Sequence, residues 1–210
     1  MRSRRGLRTL VPMAGSELDD LRAVYEPLAQ SVRRLIDVTI RTRADAATVA
    51  VVKDRIDCAS DELGESLRDG SFGLEHTRDG EPMVWGNVVI GVRNPAAPPL
   101  VVHHEADGRV WAEFTLGAAF EGPPGHVHGG VCAMLLDHVL GATAHKPGKP
   151  AVTGTLTTRY RRGTRLGRPL RAEAWIERTE GAKTFAVGHI ADADGVTVEA
   201  DGVFIHPRNP

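Results

Sequence analysis

Two features of this chain could do chemistry on their own. One is a glycine pair, Gly129-Gly130, which follows His126-Val127-His128. Glycines that open a helix leave its first amide N–H groups pointing outward with no Cβ in the way. The helix dipole favours negative charge there, so the N–H of Gly129 could receive an oxygen that gains charge during a reaction. The same pair could equally serve a tight turn packed against a strand. The other feature is Asp137, set among Leu135, Leu136, Val139 and Leu140. An ionised carboxylate is costly to bury without partners. It therefore faces a cleft or a second chain, has a raised pKa, or is held by a structural hydrogen bond or salt bridge.

Geometry relates the two. Asp137 stands eight residues after Gly129, ~12 Å along a helix axis at 1.5 Å per residue. One reacting carbon cannot touch both. If both act on one substrate they come from different chains, with two such helices facing each other across a two-fold axis, and the protein is then an obligate dimer.

Other candidates carry less. His126 and His128 have no third metal ligand at useful spacing, unless Asp137 serves from across an interface, so no metal is expected. His103-His104 reads as part of a strand with its side chains on opposite faces, and Cys132 as a small buried apolar residue. The segment from Arg159 to Arg168 holds five arginines, Arg159, Arg161, Arg162, Arg165 and Arg168, and no acid. In a chain of net charge −1 such a cluster suits a phosphorylated ligand. A solvated strand end and turn is the simpler account of any single arginine. Nucleic acid is not expected, because the chain is not broadly basic and the only interleaved aromatic is Tyr160.

The elements that must position these groups follow from pattern. The chain has 210 residues, 41% apolar and 25% charged, in the range of globular proteins. Residues 1–55 carry a net charge of +4 and the remainder −5. Leu18, Leu21, Val24, Tyr25, Leu28, Val32, Leu35 and Ile36 recur at helical steps, with Ser16 as N-cap and Pro27 predicting a kink or break. A short helix is expected over Val49 to Asp61. Residues 1–65 thus read as a helical extension and 66–210 as the main domain. Within the latter, Val110, Ala112, Phe114 and Leu116 alternate on one strand face. Gly129 to Ala144 is one apolar helix, which must be buried all round. Four meandering strands follow: Ala151–Tyr160, Leu170–Glu180, Lys183–Asp192 and Val196–His206. Glu180-Gly181 and Asp194-Gly195 turn the last two hairpins, and Thr153, Thr155 and Thr157 should share one face. An antiparallel sheet curled around one helix, its open edge suited to a second copy, is the α+β layout of the hotdog fold.

Asn94-Pro-Ala-Ala-Pro-Pro-Leu100, Phe120-Glu-Gly-Pro-Pro-Gly-His-Val-His-Gly-Gly130, Asp137 and the strand Ala151–Tyr160 together resemble the hotdog acyl-CoA thioesterases. The nearer likeness is to the phenylacetate-type branch of the 4-hydroxybenzoyl-CoA thioesterase-like superfamily, marked by His128-Gly129-Gly130 with Asp137 seven residues on. The likeness spans residues 94–206. It implies that Asp137 is the general base or the nucleophile, that Gly129 and Gly130 form the oxyanion site, that His128 orders the turn and that Thr153 holds the water or the carboxylate. Arg159, Arg161 and Arg162 would then meet the phosphates of coenzyme A, which is part of the substrate and not a cofactor. An Asn that some members carry six residues before the His is replaced here by Gly122. The expected assembly is a homodimer or a dimer of dimers. A dehydratase of the same fold would need a His–acid pair in a different arrangement, whereas a non-catalytic acyl-CoA or acyl-carrier binding protein stays open. No apolar stretch is long enough to span a bilayer, and none suited to secretion follows the basic start Met1–Arg8, so a cytoplasmic, membrane-free setting is expected.

Overall fold

The computed structural model describes residues 15–76, 82–145 and 149–207. The basic run Met1–Arg8 and the turn at Gly80 lie outside the described residues. Two helices come first, α1 (Gly15–Arg41) and α2 (Ala46–Gly64). Helix α1 runs through Pro27 as one element, and Ser16 lies inside its first turn, not before it. Helix α2 is longer at both ends than the expected 49–61, and its earlier start is set by Asp45: the Asp45 carboxylate accepts the Thr48 N–H at 2.8 Å.

Then follow β1 (Glu75–His76), β2 (Pro82–Met83), β3 (His103–His104), β4 (Val110–Thr115), α3 (Gly129–Ala144), β5 (Val152–Tyr160), β6 (Pro169–Glu180), β7 (Lys183–Asp192) and β8 (Gly195–Ile205). β1 and β2 pair with each other, while the other six form one antiparallel sheet in the order β3-β4-β6-β7-β8-β5. The expected four-strand meander is therefore only three strands long. β5 crosses to the far edge beyond β8, and β6 returns to pair with β4. Gly181 (φ 57°) and Gly195 (φ 110°) make the two hairpin turns in a region that other residues avoid.

Small residues on the inner sheet face bring the helix close. Ala112, Ala172, Ala174, Ala186 and Ala200 are buried beneath α3, whose Leu135, Leu136, Val139 and Leu140 are fully enclosed. At Gly188 a Cβ would lie 2.8 Å from Leu140 Cδ1 and 2.5 Å from the Glu173 carbonyl oxygen, so only glycine fits. This is the hotdog arrangement, with one difference from the sequence expectation. Helix α3 is not buried all round: Ala133, Met134, Asp137, His138, Gly141 and Ala142 form a half-exposed stripe that the described residues do not cover.

Strand β5 holds a second difference. Thr153 pairs with Phe204 and Thr155 with Val203, so Gly154 is an extra residue, a β-bulge. Paired residues point to the same side of a sheet. Thr153 thus joins the core side with Phe204, whereas Thr155 and Thr157 lie on the outer side opposite Val203 and Asp201. The three threonines do not share a face.

Candidate active site

The turn into α3 is built by its own hydrogen bonds. Glu121 and Val127 bridge across it, the Gly122 N–H donates to the His126 carbonyl at 2.9 Å, and the Gly125 N–H donates to Glu121 Oε1 at 2.7 Å. The His126 ring Nδ1–H donates to the Pro124 carbonyl at 2.9 Å, which ties that imidazole into the loop. Gly122, at the Asn position of the resembling branch, sits so close to His128 that a Cβ would lie 2.6 Å from its Cα. A side chain at this position would require the His128 backbone to shift.

His128 is the N-cap of α3. Its N–H donates to the Phe120 carbonyl at 2.9 Å, and its Nδ1 accepts the Gly130 N–H at 3.0 Å. The Val131 and Cys132 N–H groups both donate to the His128 carbonyl, at 2.9 and 3.3 Å. That accounts for three of the amides at the start of α3. The N–H of Gly129 has no acceptor among the described residues. The Gly130 N–H, proposed alongside it from sequence, is occupied by the capping histidine.

Asp137 lies two turns further along α3 on the half-exposed stripe. Thr153 Oγ1 donates to Asp137 Oδ1 at 2.8 Å, which leaves Oδ2 open. The bulge at Gly154 makes this contact possible, since without it Thr153 would face the outer side. Beside Asp137, burial pulls the His138 imidazole below its ordinary pKa, and the Asp137 charge acts the other way. Burial also pushes the Cys132 thiol up.

Sequence reasoning missed one contributor. Tyr160, on the same core-facing side of β5 as Thr153, donates its phenol O–H to the Gly129 carbonyl at 2.9 Å. Its ring lies over that glycine, where a Cβ would come within 3.2 Å of Cε1 and Cζ. One strand therefore holds both the carboxylate and the peptide that opens the helix. The signal was Gly154 inside a strand, which marks a bulge or a close approach.

The arginines divide into two groups. Arg159 is paired with Asp201, Arg161 with Glu199 (2.7 Å), and Arg162 with Asp192 and the Gly195 carbonyl (2.6 Å). Their partners respond: a hydrogen bond from Arg161 lowers the Glu199 pKa, and one from Arg162 lowers that of Asp192. Arg165 and Arg168 donate to no acceptor among the described residues. The backbone of Arg165 pairs with that of His126, beside the turn that leads to Gly129. Among the described residues no three His, Cys, Asp or Glu side chains come together as metal ligands, and no helix is long and apolar enough to cross a membrane.

Comparison with known proteins adds sequence and fold relatives. A family model described as the thioesterase superfamily matches residues 124–199. A solved thioesterase superfamily protein is 35% identical, with a TM-score of 0.78 over 93% of each chain. The acyl-coenzyme A thioesterase THEM4 of Xenopus laevis is 32% identical over 105 residues, 49% of this chain and 47% of the relative. The acyl-coenzyme A thioesterase THEM5 of Mus musculus is 24% identical over 64% of this chain and 55% of the relative. The chain spans about half the length of these curated relatives. The PaaI protein of the E. coli phenylacetic acid degradation operon shares the fold, with a TM-score of 0.50 at 17% identity over 53% of this chain and 82% of that one.

Proposed function

The chain belongs to the thioesterase superfamily, and from that premise we propose that it hydrolyses an acyl-CoA thioester to the free acid and coenzyme A. The observation that carries the reading is the pairing on α3 of an amide without an acceptor, at Gly129, and a half-exposed carboxylate, at Asp137. At ~12 Å apart along one helix they serve one thioester only if they come from two copies. The uncovered stripe of α3 and the free edge of β5 support a homodimer, or a dimer of dimers, with its sites at the subunit boundary.

In this reaction Asp137 of one copy takes a proton from water, whose oxygen adds to the thioester carbon. The Gly129 N–H of the partner subunit stabilises the charge that grows on the carbonyl oxygen. The tetrahedral intermediate then expels the thiolate, the C–S bond breaks, and the proton goes to sulfur. In the alternative order Asp137 attacks the carbon itself and the C–S bond breaks to release the thiolate; water then cleaves the mixed anhydride, giving the free acid and the Asp137 carboxylate, and its proton goes to sulfur. Thr153 orients the carboxylate in both. The phosphates of coenzyme A dock on the arginine segment 159–168, where Arg165 and Arg168 are free to donate and Arg159, Arg161 and Arg162 already share their charge with acids. These groups need no cofactor beyond water, and the proposed setting is cytoplasmic, with residues 66–210 as the catalytic domain and 1–65 as its extension.

The test is release of free thiol from a panel of acyl-CoAs. Wild type should hydrolyse at least one, and Asp137→Ala should lose about 100-fold or more in kcat. Equal hydrolysis by both proteins would remove Asp137 from the reaction. Binding without hydrolysis by the wild type would instead identify a non-catalytic acyl-CoA binding protein.

A further inference from the structure

Among the described residues, helix α2 has no packing partner. None of its residues is buried, and Val49, Val52 and Leu63 are 48, 38 and 54% exposed. At 19 residues it is ~28 Å long, and Val49, Val51, Val52 and Ile56 are weak helix formers. A helix of this kind draws its stability from packing an apolar face, not from propensity. A partner laid along its apolar side would supply that packing.

The pattern says what. Val49, Val52, Ile56, Ala59 and Leu63 follow one another at steps of three, four, three and four, a single narrow seam suited to another helix. The acids Asp54, Asp57 and Asp61 lie away from the seam, and Lys53 is paired with Asp57 within the chain. Arg55 and Glu62 flank the seam on the same edge, seven residues apart, and neither has an ion-pair partner among the described residues. When two copies of this helix run antiparallel, Arg55 of each stands opposite Glu62 of the other, twice by symmetry. A parallel pair would set Arg55 against Ser60 and Glu62 against Leu67. The surface is complementary to itself in the antiparallel sense.

We propose that α2 pairs antiparallel with the α2 of a second copy of this chain through the Val49–Leu63 seam, with crossed Arg55–Glu62 ion pairs. The proposal does not depend on the thioesterase reading. In the register that sets Ile56 opposite Ala59, Ile56→Cys/Ala59→Cys in a Cys58→Ser background should form a disulfide-linked dimer of the full chain under mild oxidation. Asp54→Cys/Asp61→Cys in the same background, on the outer face, should not. Adding Arg55→Glu to the seam pair should lower the yield of linked dimer several-fold, and adding Glu62→Arg as well should restore it. Equal cross-linking by seam and outer pairs, or no cross-linking by the seam pair, would overturn the proposal. So would a charge swap that fails to recover the yield, since α2 would then dock elsewhere.

Discussion

The Thr153 hydroxyl donates to one oxygen of the Asp137 carboxylate at 2.8 Å, and a one-residue bulge at Gly154 is what turns Thr153 toward the helix. The contact fixes the carboxylate and leaves its other oxygen without a donor among the described residues. Thr153→Val, which keeps the shape and loses the hydroxyl, should lower kcat by about 10-fold or more, the value of a hydrogen bond to a charged acceptor. Thr153→Ser should retain most of the rate. Steady-state kinetics on the best acyl-CoA checks both.

Tyr160 acts through Gly129, whose carbonyl its phenol holds at 2.9 Å. Tyr160→Phe keeps the ring over the glycine and removes only the hydrogen bond. It should reduce kcat by about 3- to 10-fold with little change in KM, because the amide is aimed less well at an oxygen that carries charge only in the transition state. A rise in KM at constant kcat would assign Tyr160 to substrate binding instead.

Gly122 lies against the His128 backbone with no room for a side chain. Introducing the residue of the resembling branch, Gly122→Asn, should therefore lower Tm and activity together, not improve the site. Thermal unfolding and thiol release on the same preparation measure this.

Stability should depend on pH through His138. Its folded pKa lies below the ordinary imidazole value, chiefly from burial, so the unfolded chain takes up a proton near pH 6.5 while the folded chain still resists it. The unfolded state binds more protons in that window, and stability falls as the pH drops through about 6.5. His138→Asn should flatten Tm over this range, whereas an unchanged slope would place the effect elsewhere.

Much of this was legible from residue order. The span Gly129–Ala144, the hairpin glycines and the inward alternation of β4 follow from local rules, because they depend on neighbours in sequence. What was not legible depended on distant partners. Strand β5 went to the far edge since its inner residues pair with the buried side of β8, which no local pattern encodes. The bulge that separates Thr153 from Thr155 shifts a face by one residue, and only the glycine hinted at it. The arginine cluster reads as an open basic patch until Glu199, Asp192 and Asp201 arrive from neighbouring strands. The open stripe on α3 appears only once the sheet is seen to leave that side bare.

Whether Asp137 and Gly129 meet on one substrate from two copies is read by complementation between inactive chains. Gly129→Val places a side chain against Tyr160 and over the amide, and Asp137→Ala removes the carboxylate; each variant alone should be inactive yet fold. Coexpressed in equal amounts, they should recover about a quarter of wild-type activity, because half the dimers are mixed and each mixed dimer has one intact site of two. Mixed dimers that assemble but stay inactive would mean that both groups act within one chain, or do not act together, and would contradict the account.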